Sequence, residues 1–231
     1  MFVVCISASN IKHARDKSTS LKVCRLIKEM VDKATDYKAE IEIIPVVDYE
    51  FQACIGCGEC FKKDECVNDD DFNRIYAILS KADALFIVSA HYAPIPAKLS
   101  MLLEKIEQLA FLKKFNDKTY HCALFGKPVG IIGHGGGEGD LYKQYKTPVI
   151  DSIWNALSYP VEMNIIGVDN EQHRGVVFPV GSVKRESKSI FPIQEYDWND
   201  IESRLRPLVS NVVNEEQRVN TSSNQPDFRQ T

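Results

Sequence analysis

The sequence predicts an α/β protein built on a doubly wound, five-stranded parallel sheet with helices on both faces. Short apolar stretches of strand length alternate with amphipathic stretches of helical spacing along most of the chain. The strand-like stretches are apolar throughout, which is typical of parallel strands that are covered on both sides. With 44% hydrophobic and 26% charged residues among its 231, the chain can also bury one large core.

Five stretches have the length and composition of buried strands. The first and third are continuous apolar runs, the second is rich in β-branched residues, and the fourth leads into a glycine-rich loop. The predicted strands are Phe2–Ile6, Ile41–Val47, Ala84–Val88, Val129–Ile132 and Met163–Gly167.

The segments that follow these strands have helical periodicity. The acidic run Asp69–Asp71 predicts a helix start, because carboxylates cap a helix N-terminus and interact favourably with its dipole. Pro148 is expected to start or kink the helix in which it lies. The predicted helices cover 19–34, the stretch after Asp69, 96–111, much of 140–158, and 198–213.

A single domain is expected over residues 1–213. It contains a cysteine-rich loop over 52–68 and an irregular arm over 169–196, and an arm of this kind could pack on a partner subunit. A polar tail, predicted to be flexible, follows over 214–231.

Charge and hydropathy argue against two classes of partner. The net charge is −4 and Lys and Arg are not concentrated anywhere, whereas nucleic-acid binders need a basic surface to hold phosphates. No apolar run approaches the roughly 20 residues of a membrane-spanning helix. The first apolar stretch also lacks the basic flank and cleavage site of a signal peptide. We therefore expect a cytoplasmic protein that binds neither nucleic acid nor membrane.

The positions of the glycines exclude two nucleotide-binding motifs. All 12 glycines lie at or after Gly56. A Rossmann fingerprint and a Walker A loop both need glycines between the first strand and the first helix, where the backbone approaches phosphate closely. Neither motif can form there in this chain.

Five hydroxyl side chains instead surround the start of the first predicted helix. A helix N-terminus favours an anion, and hydroxyls add directed hydrogen-bond donors, so this pattern indicates a site for a mononucleotide phosphate. Serine and threonine are also ordinary helix caps, although capping accounts for one hydroxyl and not for five. The candidate phosphate residues are Ser7, Ser9, Ser18, Thr19 and Ser20.

Two further loops follow strands of the predicted sheet and are expected at the same edge. The first turns through an aromatic residue and prolines, so Tyr92 could lie against a flat ring, while Pro96 also suits a helix start. The second is glycine-rich, which lets backbone approach a ligand but is also typical of a flexible loop. His134 is interpreted as a hydrogen-bonding residue and not as a catalytic base. The candidate ring-binding residues are Ser89, Ala90, His91, Tyr92, Ala93, Pro94, Gly135, Gly136 and Gly137.

Four of the seven cysteines fall within 13 residues in the pattern C-x2-C-x2-C-x5-C. A [4Fe–4S] cluster needs four thiolates around one pocket, and this spacing suits it. Zinc, which more often pairs two separated knuckles, and free or redox-active thiols remain alternatives, whereas disulfides fit least. The other cysteines are interpreted as small core residues. The candidate metal ligands are Cys54, Cys57, Cys60 and Cys66.

Over about residues 1–168 the chain resembles the flavodoxin-like NAD(P)H-dependent FMN reductase superfamily, and within it the iron–sulfur flavoproteins. The family's Gly-Ser-Pro-Arg and Asn-Thr stand here as Ile6–Ser9 and Thr19–Ser20, which keep hydroxyls but lose the Gly, Pro and Arg. Its third-strand signature stands as Ala82–Tyr92, followed by a loop one residue shorter with Pro94 in place of a glycine. The cysteine spacing and the acidic run after it resemble the iron–sulfur flavoproteins.

The resemblance implies an FMN-dependent oxidoreductase that accepts hydride from NAD(P)H and passes electrons to a flavin, quinone or protein acceptor. Such hydride transfer requires no protein acid, base or nucleophile, so no catalytic residue is assigned. One alternative is an FMN/[4Fe–4S] electron-transfer protein without a substrate of its own, and another is a metal-binding or thiol-sensing module. By analogy with the family, a homodimer or homotetramer is expected.

Overall fold

The computed structural model describes residues 1–12, 17–170, 172–185 and 193–223, and within these ranges the predicted fold class is confirmed. The strands are β1 (Phe2–Ala8), β2 (Glu40–Pro45), β3 (Ala84–Ala90), β4 (Pro128–His134), β5 (Asn164–Ile166), β6 (Val176–Phe178), β7 (Ser182–Lys184) and β8 (Ile193–Glu195). The helices are α1 (Thr19–Ala34), α2 (Cys60–Lys63), α3 (Asp70–Lys81), α4 (Ala97–Asn116), α5 (Ser152–Leu157) and α6 (Trp198–Ser223).

The central sheet is parallel and has the strand order β2-β1-β3-β4-β5. The order reverses at β1, which pairs with β2 on one side and with β3 on the other. In open α/β sheets, ligands bind beyond the carboxyl ends of the strands at such a reversal. The topology therefore directs attention to the loops that follow β1, β3 and β4.

Helices cover both faces of the sheet, which explains why its strands are apolar throughout. On one face α3, α4 and α5 contribute side chains such as Phe72, Leu99 and Ile153 to a single core. On the other face α1 and α6 pack together, with Ile27 and Leu205 fully buried. Each such side chain contributes about 1.5–3 kcal/mol when it is buried.

Two helix starts form as the sequence predicts. Helix α1 covers the predicted range, and its cap is Ser18, whose Oγ accepts a hydrogen bond of 3.3 Å from the Leu21 N–H. Helix α3 is capped by Asp69, whose carboxylate accepts from the Phe72 N–H at 2.9 Å. Both caps satisfy N–H groups that the first helical turn leaves without an intrahelical partner.

The helix predicted over 140–158 is not continuous. A 3₁₀ segment over Gly139–Tyr145 leads into a π-helical turn over Lys146–Asp151, and only Ser152–Leu157 is α-helical. Pro148 lies within the π-helical turn. Because proline has no N–H and its ring crowds the preceding turn, it disrupts the regular hydrogen-bond ladder at this point.

The fifth position of the sheet holds two short strands in place of one. β5 pairs with the first half of β4, and β6 pairs with the second half, at Ile132–His134. The arm predicted to be irregular over 169–196 therefore contributes β6 to the sheet, and its β7 and β8 form an antiparallel pair. Residues 171 and 186–192 of the arm lie outside the described residues.

The last helix continues through Ser223 and does not end at 213, so the tail predicted to begin at 214 begins with helix. The apolar stripe of α6 ends in Val212 and Val213, and Glu216 is buried one turn further on. This continued burial on one face explains why helix persists although the sequence there is polar. Residues 224–231 lie outside the described residues. Among the helices that the structure describes, none combines the length and apolar character needed to cross a bilayer.

Candidate functional site

The structure brings the three predicted loops together at the carboxyl edge of the sheet. Ala8 at the end of β1 lies opposite Ser89, and Ala90 at the end of β3 lies opposite His134. The first residue after β3 is also tied to β4, because the His91 N–H donates to the His134 carbonyl at 2.7 Å. The loops after β1, β3 and β4 therefore line one site.

The hydroxyls around the start of α1 are unusually well buried. Ser7, Ser9, Ser18 and Ser20 are all more than nine-tenths buried, whereas serine is mostly exposed in folded proteins. Thr19 lies between the last two and is partly exposed. Ser9 Oγ accepts a hydrogen bond of 3.2 Å from the Ile11 N–H, which shapes the turn after β1.

The Ser20 hydroxyl points into the protein, where it contacts two strand ends. It donates to the Ala8 carbonyl at 3.1 Å and lies 2.8 Å from the Nε2 atom of His134. Because the single hydroxyl hydrogen is engaged by Ala8, the hydrogen in the second bond belongs to His134 Nε2. Ser20 therefore joins α1 to β1 and β4.

His134 lies at the end of β4 and is buried, and burial lowers the pKa of its imidazole from 6.5 to about 4. The ring is therefore neutral at neutral pH. Phe178 stacks on it with ring centroids 5.4 Å apart and planes 8° apart. Among the residues that the structure describes, the Nδ1 atom has no hydrogen-bond partner. The interpretation of His134 as a hydrogen-bonding residue agrees with this geometry.

The loop after β3 is short and ordered by its own backbone. The Tyr92 N–H donates to the Pro94 carbonyl at 3.0 Å, and the Tyr92 side chain is 40% exposed. Ser89 is fully buried within β3, and its hydroxyl donates to the Ala90 carbonyl at the end of the strand. The His91 ring stacks on Tyr145 at 4.9 Å between centroids.

The glycines after β4 allow close approach by side chains of this same chain. A Cβ atom on Gly135 would lie 2.6 Å from the Tyr145 ring, and one on Gly137 would lie 2.8 Å from the Tyr145 hydroxyl. A Cβ atom on Gly136 would lie 2.8 Å from the side-chain amide of Gln194. At this loop the close approach is made by Tyr145 and Gln194 of the same chain, and the approach of the glycine backbone to a ligand stays a prediction.

Three residues of the site, Phe178, Gln194 and Tyr196, are absent from the sequence prediction. All three lie in the arm over 169–196, which has no periodic pattern. Their approach depends on the pairing of β6 with β4 and on the contact between the β7–β8 hairpin and the glycine loop. The only signal in the sequence is the concentration of aromatic residues at Phe178, Tyr196 and Trp198.

The four cysteines of the C-x2-C-x2-C-x5-C motif line one recess. Gly56 and Gly58 have φ values of +67° and +72°, a conformation that lets the chain reverse between successive cysteines. Burial, together with the neighbouring Cys57, Cys54 and Cys66, raises the pKa of the Cys60 thiol. We call this pocket, lined by Cys54, Cys57, Cys60 and Cys66, the cysteine recess.

The last cysteine of the recess is held by a reciprocal contact with α3. The Cys66 N–H donates to Asn73 Oδ1 at 2.7 Å, and Asn73 Nδ2 donates back to the Cys66 carbonyl at 2.8 Å. Within the described part of the chain, no three His, Cys, Asp or Glu side chains are close enough to hold a metal ion as they stand. Cys5, Cys24 and Cys122 are buried, as predicted for core residues.

A buried ion pair lies beneath the cysteine recess. Lys105 of α4 lines the recess, and its ammonium group binds the Asp69 carboxylate, with both side chains almost fully buried. Burial alone would raise the pKa of Asp69, but Lys105 and the N–H groups of Phe72 and Gln52 outweigh it, so the pKa lies below its ordinary value. The recess therefore has a buried cation in its wall.

A model of the family described as NADPH-dependent FMN reductase matches residues 1–165, which include α1, the three loops and the cysteine recess. The chain belongs to this family. The match ends within β5, so the arm and α6 lie beyond it.

Relatives of this FMN reductase family member include several iron–sulfur flavoproteins. One from Methanocaldococcus jannaschii is 28% identical over 129 residues, which cover 55% of this chain and 65% of that protein. One from Archaeoglobus fulgidus is 34% identical over 82 residues, which cover 36% of this chain and 39% of that protein. The matched parts span less than two-thirds of the length of these relatives.

Solved structures of similar fold support the flavodoxin-like architecture of this family member, and they include flavodoxin 1 from Bacillus cereus, with a TM-score of 0.50 at 13% identity, covering 93% of this chain and 98% of its own. RosB, solved with a bound riboflavin-phosphate derivative, has a TM-score of 0.58 at 13% identity, covering 99% of this chain and 83% of its own. An oxidoreductase from Corynebacterium diphtheriae has a TM-score of 0.52 at 15% identity, covering 94% and 97%. At such identities the similarity is one of fold alone.

Proposed function

We propose that this protein is an FMN-dependent oxidoreductase that takes hydride from NAD(P)H and passes electrons to a flavin, quinone or protein acceptor. The observation that carries the proposal is the cluster of buried hydroxyls at the start of α1, beside the loops after β3 and β4. The Ser9 and Ser18 oxygens accept hydrogen bonds from backbone N–H groups, and a hydroxyl that accepts in this way can also donate its hydrogen to an anion at the helix N-terminus. Because the chain belongs to the NADPH-dependent FMN reductase family, we take this anion to be the phosphate of FMN.

The residues at this edge have separable tasks in the proposed complex. Ser9, Ser18 and Thr19, with the first N–H groups of α1, would hold the phosphate, because these N–H groups precede the first intrahelical bond from the Lys22 N–H to the Ser18 carbonyl. Ser20 would act by fixing the start of α1 against β1 and β4. Ser7 completes the buried cluster.

The ring of the flavin would lie against the two remaining loops. Tyr92 offers an exposed side chain, and the backbone N–H groups of Ala93 and of Gly135 to Gly137 are the candidate donors to the ring edge, because the N–H groups of His91 and Tyr92 already donate within the protein. When bound, FMN supplies the hydride-accepting chemistry, and the protein supplies binding and orientation. N–H donors near the ring edge would favour the negative charge of the reduced ring.

Two measurements, made one after the other, test the proposal. Flavin-free protein is titrated with FMN while flavin fluorescence is followed, and saturable quenching is the expected result. The FMN complex is then mixed anaerobically with NADPH or NADH, and bleaching of the flavin absorbance is followed. Absence of FMN binding would contradict the whole proposal.

An FMN/[4Fe–4S] electron-transfer protein is a second candidate, and the cysteine recess favours it. Four thiols line one pocket, which is the donor set of a [4Fe–4S] cluster. The side chains would have to close around the cluster, because as they stand they do not form a metal-holding group within the described residues. The names of the relatives are consistent with this candidate.

The two candidates differ in their turnover of nicotinamide. An oxidoreductase should oxidise NADPH or NADH continuously when a quinone or free flavin is present as acceptor. An electron carrier should show almost no oxidation of NADPH or NADH. Its flavin should still be reduced by a partner protein or by dithionite. Iron and sulfide assays on anaerobically purified protein decide separately whether the cysteine recess holds a cluster.

A further inference from the structure

Tyr196 lies between the start of α1 and the glycine loop, although it belongs to the chain after the sheet. Its hydroxyl donates to Gln194 Oε1 at 2.7 Å. The ring lies 5.9 Å from Trp198, on which Lys22 of α1 stacks, and although burial raises the pKa of the phenol, the neighbouring Thr19 side chain acts to lower it. The Gln194 amide in turn lies against Gly136. One phenol therefore connects the two loops to which the proposed function assigns the phosphate and the ring.

The Tyr196 ring has two aromatic neighbours. Phe178 meets it edge-to-face at 5.9 Å and 77°, and the Trp198 ring lies 5.9 Å away. Phe178 also stacks on His134, the residue that is hydrogen-bonded to Ser20. The phenol is thus positioned by the same structure that fixes α1.

The segment that carries Tyr196 is also tied to the glycine loop. The Val180 N–H donates to the Gly137 carbonyl at 3.4 Å, and the Val183 N–H donates to the Glu138 carboxylate at 2.8 Å. These contacts anchor the β7–β8 hairpin at the carboxyl edge. The approach of Tyr196 to Thr19 is therefore part of the fold of this edge.

The chemistry of the phenol suits an anionic partner. Burial raises the pKa of Tyr196, although the contact with Thr19 acts in the opposite direction. The hydroxyl is therefore protonated at neutral pH and is available as a donor. Gln194 Oε1, its acceptor in the structure, is a neutral amide oxygen, and a phosphate oxygen accepts a stronger hydrogen bond than an amide does.

We propose that Tyr196 determines specificity for the phosphorylated flavin. In this assignment its hydroxyl donates to the phosphate of FMN at the start of α1, and Gln194 releases the phenol when FMN binds. The inference rests on the proposed function, because it assigns one more residue to the same site. Riboflavin has the same ring and no phosphate, so Tyr196 should favour FMN over riboflavin.

The test compares the two flavins on the wild type and on Tyr196→Phe. Dissociation constants of flavin-free protein for FMN and for riboflavin are measured by fluorescence quenching. Since a hydrogen bond to a charged group contributes about 1.5–3 kcal/mol, the variant should lose about ten- to hundredfold in FMN affinity and keep its riboflavin affinity. Tyr76→Phe is the matched control, because Tyr76 is a partly buried tyrosine of α3 that packs against Phe72, away from this edge.

A double-mutant cycle with Thr19→Ala gives a second, independent measurement. If both side chains act on one phosphate, their effects on FMN binding should be non-additive. Unchanged FMN affinity in Tyr196→Phe, or equal losses for FMN and riboflavin, would overturn the assignment while the proposed function stands. If the wild type binds no FMN, the proposed function fails first. Circular dichroism of the flavin-free variants verifies that they are folded.

Discussion

Ser20 and His134 are 114 residues apart in sequence, and their side chains are hydrogen-bonded at 2.8 Å between the hydroxyl and Nε2. The bond joins the first turn of α1 to the last residue of β4, so it fixes the distance between two of the three loops at the carboxyl edge. Phe178 stacks on the imidazole. A neutral, buried histidine is thus part of the framework of the candidate site.

The first prediction concerns the dependence of stability on pH. The pKa of His134 is about 4 in the folded protein and near 6.5 in the unfolded chain, so the unfolded chain binds more protons between these values. Stability should therefore fall as pH falls from 6.5 to 4, by up to about 3 kcal/mol from this residue. Urea unfolding at pH 7 and pH 4.5 should show a smaller loss in His134→Gln than in the wild type. Equal losses in both proteins would contradict the buried, neutral imidazole.

The second prediction concerns the phosphate. Thr19→Ala removes a hydroxyl at the start of α1 without altering the cap at Ser18. If the hydroxyl binds phosphate, FMN affinity should fall about tenfold or more. Ser158→Ala is the control, because Ser158 follows α5 and its hydroxyl donates to the Trp154 carbonyl of that helix. Equilibrium dialysis against FMN measures both variants, and equal affinity of Thr19→Ala and the wild type would argue against the phosphate assignment.

The third prediction concerns the cysteine recess. If the cysteine recess holds a cluster, Cys57→Ser should abolish iron and sulfide in anaerobically purified protein and leave FMN content unchanged, because the two proposed sites use separate residues. Cys122→Ser is the control, since Cys122 is buried outside the recess and its Sγ contacts the Val161 carbonyl. Iron that persists in Cys57→Ser, or that also disappears in Cys122→Ser, would contradict a four-cysteine cluster.

The fourth prediction concerns the ion pair beneath the recess. Lys105→Met leaves the Asp69 carboxylate buried without its cation, and breaking a buried pair typically costs about 3–5 kcal/mol. Lys62→Met breaks the exposed pair with Glu59 and should cost less than about 1 kcal/mol. The free energy of unfolding in urea separates the two variants. Similar values for both would show that the pair at Asp69 is exchanged for water at little cost.

The fifth prediction concerns Gly175, which begins the approach of β6 to the sheet. Its φ is +151°, and a Cβ atom there would lie 2.4 Å from the Ile131 carbonyl oxygen, which is backbone and cannot rotate away. Gly175→Ala should therefore destabilise the protein by more than Gly139→Ala, where φ is +52° and the added Cβ meets no atom within 4 Å. The control variant Gly139→Ala should itself lose about 1–3 kcal/mol of stability through backbone strain. Thermal unfolding midpoints measure the difference, and equal midpoints would count against the close packing of β6 on β4.

Local patterns were sufficient to predict the centre of this fold. The apolar runs gave the strands of the sheet, and Ser18 and Asp69 were recognisable as helix starts because capping is a property of a few adjacent residues. The position of the candidate site followed as well, since parallel strands present their carboxyl ends at one edge. The cysteine motif could also be recognised from the sequence, because its four cysteines lie within 13 residues.

Contacts between distant segments could not be predicted. Nothing in the neighbourhood of Phe178 or Tyr196 indicates that these side chains reach His134 and Thr19, because the approach depends on where β6 joins the sheet. The extension of α6 was missed for a different reason. Its residues after 213 are polar on average, and only the buried face at Val212, Val213 and Glu216 shows that the helix continues.

The division of the fifth sheet position between β5 and β6 has a consequence for solubility. Exposed edges of β-sheets can accept a strand from another molecule, and long, regular edges are the most susceptible to such aggregation. Here each of the two outer strands has only three residues, and the chain leaves the sheet between them. An incoming strand could therefore form only a few hydrogen bonds before its register was broken, which protects this side of the sheet from intermolecular strand addition.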